Sequence, residues 1–143
     1  MSNPQKVIIV DDHTQYREKL RMFIEAFGEF ETIGEASNGL EFLKLLEKTI
    51  PDIIFMDINM PIMNGIEATV QATTKYGDLN IITLTVYGEE EYALMMNEAG
   101  ARGFLMKNFT NEDISKAIKE VMSGGFYWQK TLVDKICGNE ECF

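Results

Sequence analysis

Residues 53–65 read IIFMDINMPIMNG, and the way this stretch ends decides the fold. The apolar run Ile53 to Met56 has neither the alternation of a half-exposed strand nor helical spacing. It fits a strand covered on both faces. The run goes straight into Asp57, and the turn residues, Met60-Pro61 and Asn64-Gly65, come only afterwards. The carboxylate is therefore held out at a strand end, ahead of the turn.

Working outward from Asp57, further short apolar runs alternate with helical patterns. KVIIV (6–10), DIIFMD (52–57), NIITLT (80–85) and RGFLMK (102–107) read as strands, and TIGEA (32–36) as a weaker one nearer the edge. Between them apolar residues recur at helical spacing: Tyr16, Leu20, Phe23, Ile24 and Phe27; Leu40, Leu43 and Leu46; Tyr92, Met95, Met96 and Ala99; Ile114, Ala117, Ile118, Val121 and Met122. Asn38 with Glu41, and Thr110 with Asp113, have the spacing of helix-start caps. Gly28, Gly100 and Gly124 sit where helices should stop. Ile66 and Val70 start a helix after Gly65, but its later part, QATTKYGD, is poorly patterned. Five β–α pairs in alternation specify a parallel sheet with helices on both faces. Sites in such folds form beyond the C-terminal ends of the strands.

The strand ends carry Asp11 and Asp12, Asp57, Thr85, and Lys107. Two carboxylates 4 Å apart repel by about 4 kcal/mol at an effective dielectric near 20. One aspartate alone could be a helix cap; three on one edge are not placed there for stability. Oxygen ligands of this kind suit Mg²⁺. The cation cancels the repulsion and leaves room for a phosphate, on which Lys107 can act as a point charge and Thr85 as a hydrogen-bond donor. A carboxylate in such a setting can attack phosphorus to give an aspartyl phosphate.

Composition narrows the classes. The chain has 143 residues, with 13 Lys and Arg against 23 Asp and Glu, a net charge of −10. That balance argues against direct nucleic-acid contact, which needs clustered cations. No apolar run approaches the ~20 residues of a membrane span, and MSNPQK lacks the apolar core of a signal peptide, so a cytoplasmic location is expected. One His and two Cys cannot fill a zinc site. Cys137 and Cys142 are expected as free thiols rather than a disulfide. His13 reads as a solvent-facing helix-start residue rather than a ligand, the methionines as core filling, and GEEEY (88–92) as the acidic first turn of a helix.

VIIVDDH (7–13), DIIFMDINMPIMNG (52–65), ITLT (82–85) and GFLMK (103–107) together resemble the receiver domain of two-component response regulators. The resemblance runs from residue 6 to about residue 125. It implies a five-stranded parallel sheet in order 2-1-3-4-5 flanked by five helices, the flavodoxin-like receiver fold. It implies that Asp57 is the phosphoacceptor, Asp12 a direct Mg²⁺ ligand and Asp11 the acid that holds metal-bound water. The backbone carbonyl of Asn59 would complete the metal site with Asp57. Thr85 would be the switch hydroxyl, Phe104 the switch aromatic and Lys107 the phosphoryl-binding lysine. Asn59 and Tyr87, two residues after the acceptor and two after the switch hydroxyl, would flank the water that hydrolyses the acyl phosphate. The partner implied is a sensor histidine kinase, with homodimerisation on phosphorylation and no membrane or direct nucleic-acid contact.

Many receivers have Pro after the lysine. Asn108 here resembles the subclass that precedes a helix-turn-helix DNA-binding domain, as does GGFYWQKTLVDKI (124–136). The expected division is a receiver over 1–125 and a C-terminal tail or linker start over 126–143. A stand-alone receiver working through protein contacts is the alternative. Three rivals fit less well. A haloacid-dehalogenase-type phosphatase needs a second Asp two positions after its nucleophile on the first strand, where His13 stands. A flavodoxin-like flavin binder needs a Ser/Thr/Gly-rich phosphate loop, where DDHTQYR is acidic. A degenerate receiver would lack part of the acidic set. A signalling domain, not a turnover enzyme, is the reading that remains.

Overall fold

The computed structural model describes residues 3–138. The chain alternates β1 (Gln5–Val10), α1 (Thr14–Glu25), β2 (Phe30–Ala36), α2 (Gly39–Lys48), β3 (Ile53–Asp57), α3 (Gly65–Tyr76), β4 (Ile81–Thr85), α4 (Glu90–Ala99), β5 (Gly103–Met106), α5 (Asn111–Met122), β6 (Tyr127–Trp128) and α6 (Lys130–Cys137). The strands form one parallel sheet in order β2-β1-β3-β4-β5-β6.

The continuous apolar strands are the central ones. Every residue of β3, β4 and β5 is buried. Two cores lie on the two faces of the sheet. One packs Ile54, Met56, Phe42, Ala68, Ala72, Met96 and Phe104 together. The other packs Ile53, Phe55, Leu84, Leu105, Ile114 and Val121. Alternate residues of one strand thus feed opposite layers, which is why the sequence shows no polar alternation.

The caps read from spacing are present. Asn38 accepts from the Glu41 N–H at 2.9 Å, and Thr110 and Asp113 form a reciprocal capping box. Two features differ from expectation. The poorly patterned QATTKYGD is helical as far as Tyr76, because small residues, Ala68, Thr69 and Ala72, form its buried face. The Thr73 hydroxyl lies 2.9 Å from both the Thr69 and the Ala99 carbonyl and shares its one proton between them, tying α3 to the end of α4.

The second difference is the C-terminal segment. Five strands and five helices were expected. Tyr127–Trp128 instead add a sixth strand beside β5, and α6 packs against α4 and β5. Trp128 stacks flat on Phe104, with ring centroids 3.7 Å apart and 11° between planes. Gln129 is buried; its side chain accepts from the Met106 N–H at 2.6 Å and donates to Asp113 at 2.9 Å. Leu132 is fully buried. Cys137 is disulfide-bonded, not the free thiol expected. Cys142 lies outside the described residues.

Candidate functional site: the carboxylate cluster at the strand ends

The topology brings Asp11, Asp12, Asp57, Thr85 and Lys107 to one edge, since β1, β3, β4 and β5 are neighbours in a parallel sheet. Ligand atoms of Asp11, Asp12, His13 and Asp57 lie within 4.8 Å of one another. Asp57 is buried and ends β3, with its carboxylate accepting from the Ile58 N–H at 2.9 Å. The chain then turns tightly. The Gly65 N–H donates to the Ile58 carbonyl at 2.7 Å, and a Cβ on Gly65 would stand 2.1 Å from the Asp57 carbonyl oxygen. Only glycine lets α3 start this close to the aspartate. Asn64 caps that start by accepting from the Glu67 N–H at 2.9 Å.

Lys107 bridges two of the acids. Its Nζ lies 2.8 Å from Asp11 and 3.4 Å from Asp57. Burial alone would lower its pKa, but the bond to Asp11 and the charges of Asp57 and Asp11 outweigh burial, and the net shift is upward. Burial, then the charge of Asp11, pushes Asp57 up to about 7, against the partial relief that Lys107 gives. Asp11 is fully buried and accepts from the His13 N–H at 2.8 Å. Asp12 is half-buried at the rim, and its Oδ1 is buried without a hydrogen bond. His13 is largely exposed, as expected of a helix-start residue, yet its Nδ1 lies 3.4 Å from both Asp11 and Asp12.

The site is thus short of positive charge. Among the described residues, three carboxylates face the single ammonium of Lys107. A divalent cation would make up that deficit, and an unsatisfied carboxylate oxygen on Asp12 is a ready ligand for one. The donor set, all oxygen apart from the exposed His13, fits Mg²⁺ better than a softer metal.

The other expected residues fall into two groups. Thr85 is buried at the end of β4. Its hydroxyl contacts the Glu89 carboxylate at 3.2 Å. Asn59 is exposed, and its side-chain amide donates to the other oxygen of Glu89. Tyr87 is 77% exposed, and Lys135 of α6 stands over its ring at 4.3 Å. Phe104 is fully buried beneath Trp128. Tyr87 and Phe104 thus both contact the C-terminal segment.

Two residues of the site were not read from the sequence. Tyr16 counted only as a helix-face apolar residue. Its hydroxyl donates to the Lys107 carbonyl at 2.9 Å and its ring lies under the Lys107 ammonium, 4.9 Å from Nζ. Burial, then Asp11 and Asp57, raise its pKa, so it stays a neutral donor. Glu89 counted only as part of an acidic helix start. It is 8% exposed and accepts from Val86 N–H at 3.0 Å as well as from Thr85 and Asn59.

The family model described as the response regulator receiver domain matches residues 7–119. This chain belongs to that family. The relatives it matches include the transcriptional regulatory protein DegU of Brevibacillus brevis, 35% identical over 87% of this chain and 53% of the relative. The nitrate/nitrite response regulator protein NarL of Escherichia coli is 34% identical over 92% of this chain and 62% of that protein. Among solved structures, a LuxR-family two-component response regulator from Aurantimonas superposes with a TM-score of 0.87 at 29% identity, covering 95% of this chain and 97% of that one. The receiver spans between about half and three-fifths of the length of these curated relatives. No helix among the described residues is long and apolar enough to cross a membrane.

Proposed function

We propose that this receiver accepts a phosphoryl group on Asp57 from the phosphohistidine of a sensor histidine kinase, with Mg²⁺ bound at the strand ends, and passes the change to its C-terminal segment. The observation that carries the reading is the set of three carboxylates within a few ångströms at the strand ends, with Lys107 as their only ammonium partner among the described residues. A charge deficit of that kind, buried at a strand edge, is favourable only with a cation and a phosphate to complete it.

In the transfer, an Asp57 oxygen attacks phosphorus, the P–O bond forms and the P–N bond to the kinase histidine breaks. The freed imidazole keeps the electron pair and takes a proton from solvent. Asp12, Asp57 and the Asn59 carbonyl would hold the metal directly and Asp11 its water. Mg²⁺, when bound, supplies charge neutralisation of the phosphoryl oxygens. Lys107 exchanges its contact with the Asp57 carboxylate for one with a phosphoryl oxygen, and Tyr16 keeps it in place. Thr85 donates to a second oxygen.

The signal then moves sideways. If Thr85 moves toward the phosphoryl group, Phe104 can rotate into the space it leaves, but only by breaking its flat stack with Trp128. Residues 126–138 are the first element to feel the switch, and the reading is that they lead to a DNA-binding output domain that the relatives' length leaves room for. The receiver, with a charge of −10 in all, contributes no DNA contact of its own. It sits in the cytoplasm, undergoes its own phosphorylation and hydrolysis without turning over a separate substrate, and changes its dimerisation when phosphorylated. Tyr87 covers the approach of water and lengthens the life of the acyl phosphate.

The test is incubation with acetyl phosphate or phosphoramidate, read by intact mass. The wild type should gain one phosphoryl group in Mg²⁺ and none in EDTA, and Asp57→Asn should gain none. An Asp57→Asn protein phosphorylated at the wild-type rate overturns the reading.

A further inference from the structure

Glu89 opens α4 from the end of the β4–α4 turn, in a stretch that reads as an ordinary acidic helix start. Its side chain behaves differently from those of its neighbours Glu90 and Glu91. It is 8% exposed and turns back toward the strand ends. One oxygen accepts from the Thr85 hydroxyl at 3.2 Å and from the Val86 N–H at 3.0 Å; the other accepts from the Asn59 side-chain amide. All three donors are neutral, and no ion pair to Glu89 occurs among the described residues. A buried carboxylate without a countercharge costs stability unless its hydrogen bonds are well made. Here those bonds go to two residues that flank the phosphoacceptor.

The decisive point is the arithmetic of donors. A threonine hydroxyl has one proton to give. Thr85 can give it to Glu89 or to a phosphoryl oxygen on Asp57, not to both. The Asn59 amide is bonded to the same carboxylate. We propose that Glu89 is a positioning residue for the phosphoryl switch: it holds the Thr85 hydroxyl and the Asn59 amide off the phosphoacceptor, and the site closes on a phosphoryl group only as these bonds are given up. The inference rests on the phosphoacceptor role of Asp57 proposed above. It makes Glu89 a competitor of the phosphoryl group for one proton, with like charge adding to the competition. Glu89 is also the residue that precedes α4, the helix against which α6 packs.

The plainer role for Glu89 is to close the β4–α4 turn through the Val86 N–H. That role does not involve the Thr85 hydroxyl, and the two are separated by a double-mutant cycle. The probe is beryllofluoride with Mg²⁺, a phosphoryl mimic, titrated into the wild type, Glu89→Ala, Thr85→Ala and the double variant. Glu89→Ala should bind the mimic about fivefold more tightly than the wild type, roughly 1 kcal/mol. In the Thr85→Ala background the same change should alter affinity less than twofold. Equal or weaker binding by Glu89→Ala, or the same gain in both backgrounds, overturns the proposal.

Glu89→Gln keeps the side-chain length and a carbonyl for Val86 N–H, so it guards against loss of the turn; it should show a gain of the same sign and smaller size. A second readout needs neither metal nor mimic. In metal-free protein the Thr85 methyl NMR signal of Glu89→Ala should move toward its position in the mimic-saturated wild type, and an unmoved signal counts against the bond. A wild type that fails to bind the mimic would refute the phosphoacceptor reading, while the metal-free spectra would still decide the Glu89–Thr85 contact.

Discussion

The carboxylate edge and the β6–α6 segment are neighbours built on opposite principles. At the strand ends, Asp11 and Asp57 are buried against one ammonium and Asp12 has a buried oxygen without a donor. In the C-terminal segment every polar side chain that is buried is served: Gln129 makes both of its bonds, and Leu132 and Trp128 fill apolar space. The first region has more carboxylates than ammonium groups, and the second has its buried polar groups paired. The two meet at β5. Lys107 follows that strand and belongs to the charged edge, while Phe104 lies within it and belongs to the Trp128 stack. A change at the unsatisfied edge can thus be exchanged for a change at the satisfied one.

The largest effect that would sharpen this contrast is on the segment itself. Leu132→Ala should cost about 3 kcal/mol, as expected for a fully buried leucine, and should speed hydrogen exchange over residues 127–137. Mg²⁺ affinity at the strand ends should stay within about twofold. If metal binding fell tenfold, the two regions would be one unit and the contrast would fail.

At the edge the sign is reversed. Asp57 has its carboxyl pushed up to about 7, first by burial and then by Asp11. A group whose folded pKa is raised supports the fold fully only below its ordinary carboxylate range, and that support is lost as pH rises through about 7. In EDTA at pH 8, Asp57→Asn should therefore be more stable than the wild type by about 2 kcal/mol, with the difference shrinking toward pH 5. Urea unfolding at the two pH values measures it. A destabilised Asp57→Asn at pH 8 would show that Lys107 already satisfies the edge. Millimolar Mg²⁺ should narrow the gap by stabilising the wild type.

Smaller effects probe the border. Tyr87→Ala should raise the rate of phosphoryl loss a few-fold, about 1 kcal/mol of barrier, measured as decay after the donor is removed. An unchanged half-life would leave Tyr87 to α6 alone. Lys135→Ala removes an exposed cation from the Tyr87 ring and should cost about 0.5 kcal/mol or less. A larger loss in thermal unfolding would mean that this contact, rather than Leu132, anchors α6.

How far the sequence carried the reading follows the same border. The strand ends were legible because a parallel β–α alternation places them on one edge whatever the loops do, so Asp11, Asp12, Asp57, Thr85 and Lys107 could be grouped without seeing them. The end of α3 was not, because its buried face is made of Ala and Thr, which carry little hydrophobic signal. The sixth strand was not, because two residues show no period, and Phe126-Tyr127-Trp128 reads equally well as the start of a linker. Glu89 was hidden by its neighbours: three glutamates at a helix start look alike until one of them turns inward. Tyr16 was hidden because its ring serves the core while its hydroxyl serves Lys107.

The central claim, that the strand-end charge deficit exists to carry a phosphoryl group on one particular carboxylate, is tested most directly by locating that group. Protein phosphorylated with acetyl phosphate in Mg²⁺ would be reduced with borohydride, which converts an aspartyl phosphate to homoserine, then digested and sequenced by mass spectrometry. The account predicts homoserine at position 57, with Asp11 and Asp12 intact. Homoserine at position 11 or 12, or a phosphorylated protein with Asp57 untouched, would contradict it.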